Sequence, residues 1–345
     1  MQKAKLAFGV GARPEDDRLD PKLPVRGAIS RAPQRRYTLI LLYRGESAAD
    51  FKAISDRIRE KAPEFIVVTG SVFTNSHLPE IIWSYPTLTV AFSANVKLVP
   101  KRGLVYRCRR VLKTEQYEHY RAAGLPTPRT ARFAFGMPLD PKDWGDFVVL
   151  KPMFINSHGK GIHLVRTVKA ATLTPDDFFD DHPIHKDPYI VQQFIDTGET
   201  PCHYRVLSFF GEALFCRRNF RLAARPSLDE DDETLMSTPI ATNAGAASGT
   251  STELVNDREI LAFGRLVHGA MPGIPLQGID ILRDVKDGRL YALENNAGGN
   301  TWAFSSKRGE NARRALGGAE AMVNQFGAWD IAADVLIKRT RAEAR

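Results

Sequence analysis

QGIDILRDVKDGRLYALENNAGGN, residues 277–300, reads as two strands joined by a turn. Gly278 to Leu282 is apolar and alternating, Asp287-Gly288 supplies the turn, and Leu290 to Leu293 is apolar again. Side chains alternate between the faces of a strand, so Glu294 and Asn296 share one face. If Asp280 lies directly opposite Glu294, it joins them. Asp287-Gly288 favours a two-residue turn pairing Lys286 with Arg289, but that register sends Asp280 to the other face, because one residue of slip reverses every side chain. A shared face therefore needs a longer loop or a compensating bulge. The expected solution is a three-residue loop, Lys286-Asp287-Gly288, with Gly288 at positive φ. Two carboxylates and an amide oxygen would then converge as hard donors, a set suited to magnesium bound together with phosphate.

Composition limits what this hairpin can belong to. The chain has 345 residues, 43% of them hydrophobic and 26% charged, enough for two or three packed units. It has no apolar run long enough to span a bilayer, and its N-terminus does not read as a signal peptide. Cys108, Cys202 and Cys216 lack metal-ligand spacing and read as reduced thiols of a cytoplasmic protein. The net charge of +8 sits at the ends: residues 1–36 hold nine Lys/Arg against four Asp/Glu, and residues 338–345 hold four against one. The body between them is neutral, and it shows no basic stripe interleaved with aromatics. That argues against nucleic acid as a partner.

In order, residues 1–36 read as a flexible basic arm. YTLILLY (37–43), a helix from Ser47 to Lys61, EFIVVTG (64–70) and LTVAFSA (88–94) alternate as in a small parallel α/β domain covering 37–110. Asn75 and His77 would follow its second strand. A helix from Arg109 to Ala123 carries Lys113 and ends at Gly124. FVVLKPM (147–153) holds Lys151 and leads into the polar loop INSHGKG, where Gly159 and Gly161 would let backbone approach phosphate. After PYIVQQFI (188–195), two strands turn at Gly211 with Arg205, Arg217 and Arg218 on or beside them. Residues 225–252 read as a loop. A helix capped from Asn256 and Glu259 precedes the hairpin. Two helices close the chain, over about 308–316 and 318–340, before a basic tail at 338–345.

This order of motifs resembles the ATP-grasp family, especially its carboxylate–amine ligases such as ribosomal-protein glutamate ligases, glutathione synthetase and D-alanine–D-alanine ligase. The resemblance runs from Lys113 to Trp302. Lys113 before GLPTP (124–128), Lys151 before NSHGKG (156–161), VQQFI (191–195), HYR (203–205), Gly278-Ile279-Asp280 and Glu294-Asn295-Asn296 fall in the family's order. Two departures stand out: Gln193 replaces an acid, and His203 replaces the aspartate of the family's D-x-R. The resemblance implies an α/β and α+β fold of three parts. These are the N-terminal parallel-sheet domain, a small central lid (111–190) and a C-terminal antiparallel-sheet subdomain (191–337), with ATP between the last two.

It also implies roles. Lys113 and Lys151 would neutralise phosphates, and Ser157, His158, Gly159, Lys160 and Gly161 would form a flap over them. Gln192, Gln193, Phe194 and Ile195 would line the adenine, and Asp196 or Glu199 would reach the ribose. Asp280, Glu294 and Asn296 would hold magnesium, two ions in all. Arg218 would hold the transferring phosphoryl group, with Arg205 beside it, and Asn243 with Gly298-Gly299 would bind the acyl group. The implied reaction joins a small-molecule or peptide carboxylate to an amine through an acyl phosphate. A phosphotransferase on the same fold would have the same sites.

Overall fold

The computed structural model describes residues 36–73, 78–153, 161–242 and 249–345. Asn75, His77, Ser157, His158, Gly159, Lys160 and Asn243 lie outside the described residues, as does the arm up to Arg35. The first sheet is parallel throughout, with β1 (Tyr37–Tyr43), β2 (Phe65–Ser71), β3 (Thr87–Ala91) and β4 (Leu104–Arg107) in the order β2-β1-β3-β4. The unbroken apolar run of β1 fits a strand covered on both faces. Helix α1 (Ala48–Lys61) crosses back from β1 to β2, its first turn capped by Ser47.

Helix α2 (Lys113–Ala122) leads to an antiparallel sheet of the order β5-β8-β6-β7, made of β5 (Thr130–Arg132), β6 (Phe147–Pro152), β7 (His163–Arg166) and β8 (Tyr189–Gln193). The short helices α3 (Pro141–Trp144) and α4 (Thr167–Ala170) cover it. Its core is its own: Trp144, Val148, Leu150, Val165, Leu173 and Val191 pack together. This is the expected lid.

The third sheet is antiparallel, in the order β11-β10-β9-β12-β13, with β9 (Cys202–Phe209), β10 (Glu212–Arg221), β11 (Thr250–Leu254), β12 (Leu276–Arg283) and β13 (Leu290–Ala297). The stretch read as one loop, 225–252, contributes helix α5 (Asp232–Ser237) and the start of β11. Helix α6 (Arg258–Gly269) covers one face with Ile260, Phe263 and Val267 against Val206, Ile279 and Ile281. Its cap is Asp257, one residue later than expected, because that carboxylate reaches the Glu259 and Ile260 amides.

Helices α7 (Glu310–Ala315), α8 (Ala319–Phe326) and α9 (Ala328–Glu343) close the chain. Gly327, at φ +75°, breaks the last two apart. The expected basic tail is the last part of α9. Ala332, Ala333, Leu336, Ile337 and Thr340 recur at helical spacing and are buried, and Arg341 pairs with Glu64 at the foot of β2. The apolar face of α9 packs with Leu39, Phe51, Ile54 and Ile58 of the first sheet and α1, in a core that also holds Leu207, Phe209, Trp302 and Phe304. The first and third sheets thus share one core. The three-part architecture expected from the sequence, one parallel sheet and two antiparallel ones, is present.

Candidate active site

The hairpin brings Asp280 directly opposite Glu294, but not by the expected loop. Asp284 N–H donates to the Arg289 carbonyl and Gly288 N–H to the Asp284 carbonyl, both at 2.9 Å, which closes a four-residue loop, Val285 to Gly288. Gly288 has the expected positive φ, +74°. Asp284 and Asp287 fix this longer loop by accepting the Lys286 and Arg289 amides at 2.9 Å each. Arg283 then pairs with Leu290 and Ile281 with Ala292, a register that would part the acids. A bulge at Leu293 restores them, since the next pair is Asp280 with Glu294. The bulge is held from outside the sheet. Tyr117 Oη donates to the Leu293 carbonyl (3.0 Å), Ala292 N–H donates to Pro126 O (2.9 Å), and Thr127 Oγ1 donates to Ala292 O (3.0 Å).

Directly opposite residues share a face, so the ladder sets a charged row across four strands: Arg217, Arg205, Asp280, Glu294. Arg205 donates both Nε (2.6 Å) and Nη2 (2.5 Å) to the two Asp280 oxygens. Burial works to neutralise Asp280, but the Arg205 guanidinium overrides it and holds the carboxyl below its ordinary value. One step along, His203 faces Asn219. Its Nε2 accepts from Asn219 Nδ2 at 2.8 Å, its Nδ1 donates to Thr242, and burial pushes its pKa to about 4, so the ring is neutral.

The structure does not bring Arg218 to this row. It lies on the α6 face, donating to Glu253 (3.2 Å) and stacking on Phe220. The cause is a bulge in β10 between Ala213 and Phe215. Carried straight on from the turn, the ladder would set Arg218 opposite His203; the extra residue sets Arg217 opposite Arg205 instead. Arg217 is the residue that sequence reasoning missed. It keeps some exposed surface, yet burial, then the neighbouring Arg205, lowers its pKa to about 9. Its Nε finds no acceptor among the described residues. A guanidinium facing a like charge, with donors to spare, is a place for an anion.

Two lysines converge on the row. Lys113 opens α2 and holds Nζ 3.8 Å from Glu294 Oε2. Burial, partly offset by Glu294, lowers its pKa. Gln116, one turn on, clips α2 to β13 by donating to Asn295 O (2.9 Å) and accepting from Asn295 N–H (2.7 Å). Glu294 and Asn296 flank that clip. Lys151, near the end of β6, is buried; its Nζ donates to Gln192 Oε1 at 2.8 Å, and burial pushes its pKa to about 8.

The expected adenine-lining residues follow on β8. Ile195 is buried, and the Phe194 ring meets Phe147 edge-on at 6.3 Å. The Gln193 and Phe194 amides are engaged by the Arg129 and Phe147 carbonyls. Of the two ribose candidates, Asp196 is paired with Arg225 (3.1 Å), while Glu199 is exposed on a cavity lined by Arg225, Pro226, Ser227 and Leu228. Gly161, at φ +69°, lies where a Cβ would strike the Tyr189 hydroxyl. Gly299 is equally constrained, since its Cβ would fall 1.4 Å from Glu46 Oε1.

No group of three or more His, Cys, Asp or Glu able to hold a metal occurs among the described residues. The set at the row is two carboxylates and one amide, with Asn296 Nδ2 3.4 Å from Asp280 Oδ2. That donor set fits magnesium when phosphate completes the coordination, as this ion is commonly held by one or two carboxylates plus phosphate oxygens. Here Arg205 is the counter-cation of Asp280.

No family model and no curated protein matches the sequence. Among solved structures, the chain is similar to the ATP-grasp ligase PsnB complexed with a phosphomimetic variant of minimal precursor, Mg and ADP, at 16% identity over 89% of this chain and 99% of that one (TM-score 0.48). It is also similar to D-alanine–D-alanine ligase from Bacillus anthracis, at 12% identity over 89% and 99% (TM-score 0.44). A third is the macrocyclase MdnC bound with precursor peptide MdnA from Microcystis aeruginosa MRC, at 10% identity over 87% and 99% (TM-score 0.45). No helix among the described residues is long and apolar enough to cross a membrane.

Proposed function

We propose that this chain is an ATP-grasp enzyme, an ATP-dependent ligase that joins a carboxylate to an amine. The observation that carries the reading is the row Arg217, Arg205, Asp280, Glu294 with Lys113 and Lys151 set over it. Cations and acids alternate in function there: lysines for phosphates, carboxylates for a metal, guanidiniums for a transferring group and an acceptor. Asp280, Glu294 and Asn296 would hold magnesium, which supplies charge neutralisation on the phosphates when bound. Lys113 and Lys151 act as point charges toward the inner phosphates. Arg217 takes the part first given to Arg218, gripping the terminal phosphoryl group with planar donors while it passes to the substrate carboxylate. Arg205, directly opposite Arg217 on the ladder, would orient the carboxylate. An amine then displaces phosphate from the acyl phosphate and forms the amide. No nucleophilic side chain is needed for this reaction.

The test is release of ADP and phosphate by the purified protein, screened against acids and amino acids singly and in pairs. Release that requires both an acid and an amine supports the ligase. Release with an acid or alcohol alone, giving a stable phosphorylated product, makes the enzyme a phosphotransferase. Absence of Mg-ATP binding would refute the reading outright.

A further inference from the structure

Tyr117 lies on α2 one turn after Lys113, with its side chain buried. Its hydroxyl is where three elements meet. It donates to the carbonyl of Leu293, the bulged residue that brings Glu294 opposite Asp280 (3.0 Å). It accepts from Gln192 Nε2 on β8 (2.8 Å), and Lys151 Nζ on β6 approaches it at 3.5 Å. Gln192 Nε2 also donates to Thr130 Oγ1 (2.8 Å), whose own hydrogen goes to Pro128 O (2.9 Å).

The hydrogen count fixes every group. Tyr117 and Thr130 have each committed their single hydrogen, so each presents a lone pair to Gln192. The amide must turn its nitrogen toward them and its oxygen toward Lys151, which it meets at 2.8 Å. One hydroxyl therefore orients the partner of the lid lysine and, through Leu293, pins the bulge beside Glu294.

We propose that Tyr117 is a positioning residue that joins the nucleotide lysine of the lid to the carboxylate strand, so that Lys151 and Glu294 are set by the same hydroxyl. This rests on the reading of the row as a Mg-ATP site. Tyr117→Phe keeps the ring and its packing, but leaves the Leu293 carbonyl without this donor and the Gln192 nitrogen held by Thr130 alone.

Calorimetric titration with the non-hydrolysable analogue AMPPNP, with and without magnesium, tests it in the wild type, Tyr117→Phe, Lys151→Ala and the double variant. Tyr117→Phe is expected to weaken Mg-AMPPNP binding by about five- to thirtyfold. In the Lys151→Ala background the same change should cost less than in the wild type, because only the route through Leu293 and Glu294 remains. The gain in affinity from magnesium should also shrink. Thr130→Val, which removes the other lone pair facing Gln192 and does not touch β13, should weaken binding but keep the full magnesium gain. An equal factor in both backgrounds, or an unchanged affinity in Tyr117→Phe, overturns the inference and leaves the ATP reading standing. A wild type that binds no Mg-AMPPNP overturns both.

Discussion

Arg217→Met should raise stability and lower function, and both magnitudes follow from the site. Methionine keeps most of the side-chain length and discards the charge. The charge it discards faces Arg205 across the ladder and has an Nε without an acceptor among the described residues. Replacing poorly compensated buried charge by apolar side chains is neutral or stabilising by about 1–4 kcal/mol. Arg217 keeps part of its surface in water, so the expected gain is at the low end, about 1 kcal/mol, or about one to two degrees in Tm. Binding should move the other way. A charge-assisted contact to phosphate is worth about 1.5–3 kcal/mol, so affinity for Mg-AMPPNP should fall roughly ten- to 150-fold. Mg-ADP, which lacks the third phosphate, should bind as before. Arg218→Met is the control: it removes a partly exposed pair with Glu253, worth at most about 1 kcal/mol, and the stack on Phe220, and should alter neither nucleotide. Urea unfolding without ligand and calorimetric titration with both nucleotides give the answer. An Arg217 variant that is less stable and still prefers Mg-AMPPNP refutes the argument, as does a selective loss in the Arg218 variant.

Three further outcomes are expected. Burial sets Lys151 to about 8, so the protonated form that meets phosphate prevails below that pH. Nucleotide affinity should fall as pH rises through it, by up to about tenfold per unit; a slope that survives in Lys151→Met places the titration elsewhere. Asn296→Ala should impair turnover more than ATP affinity and Glu294→Gln should impair both, so a normal magnesium dependence in Glu294→Gln excludes the metal role. Gly299→Ala drives a methyl into Glu46 Oε1, 1.4 Å away, and should cost about 1–3 kcal/mol of unfolding free energy. Combining it with Glu46→Ala should cost less than the sum of the two, and strict additivity would show the clash is relieved some other way.

What the sequence disclosed depended on whether the signal was local. Apolar runs such as YTLILLY and FVVLKPM marked the strands of two sheets, and the facing of Asp280 and Glu294 followed from alternation plus a demand for convergence. The loop length and the choice between Arg217 and Arg218 did not follow, for one reason: each turns on a bulge. At Leu293 the extra residue is fixed by Tyr117, Pro126 and Thr127, more than 160 positions earlier in the chain. At Leu214 the residue gives no sign of bulging, being as apolar as its neighbours and fully buried. The last turns of α9 were hidden by charge. Lys338, Arg339 and Arg341 suggested a solvated tail, whereas Thr340, the small residue among them, points inward and the arginines pair with Glu343 and Glu64.

The seam between α9 and the first sheet bears on how the chain is made. Leu39, Phe51 and Ile54 belong to the same core as Ala332, Leu336 and Ile337, which are translated more than 270 positions later. Synthesis proceeds at about 5–20 residues per second, so the first sheet and α1 wait tens of seconds for the α9 side of their core. The lid needs no such wait, because its core is drawn from residues 133–191 and can close as soon as they emerge. The residues of the lid core are therefore all translated before the core shared by the first and third sheets is complete. A chain that stops short of residue 328 lacks the α9 part of this core, and the apolar surface it leaves exposed favours aggregation.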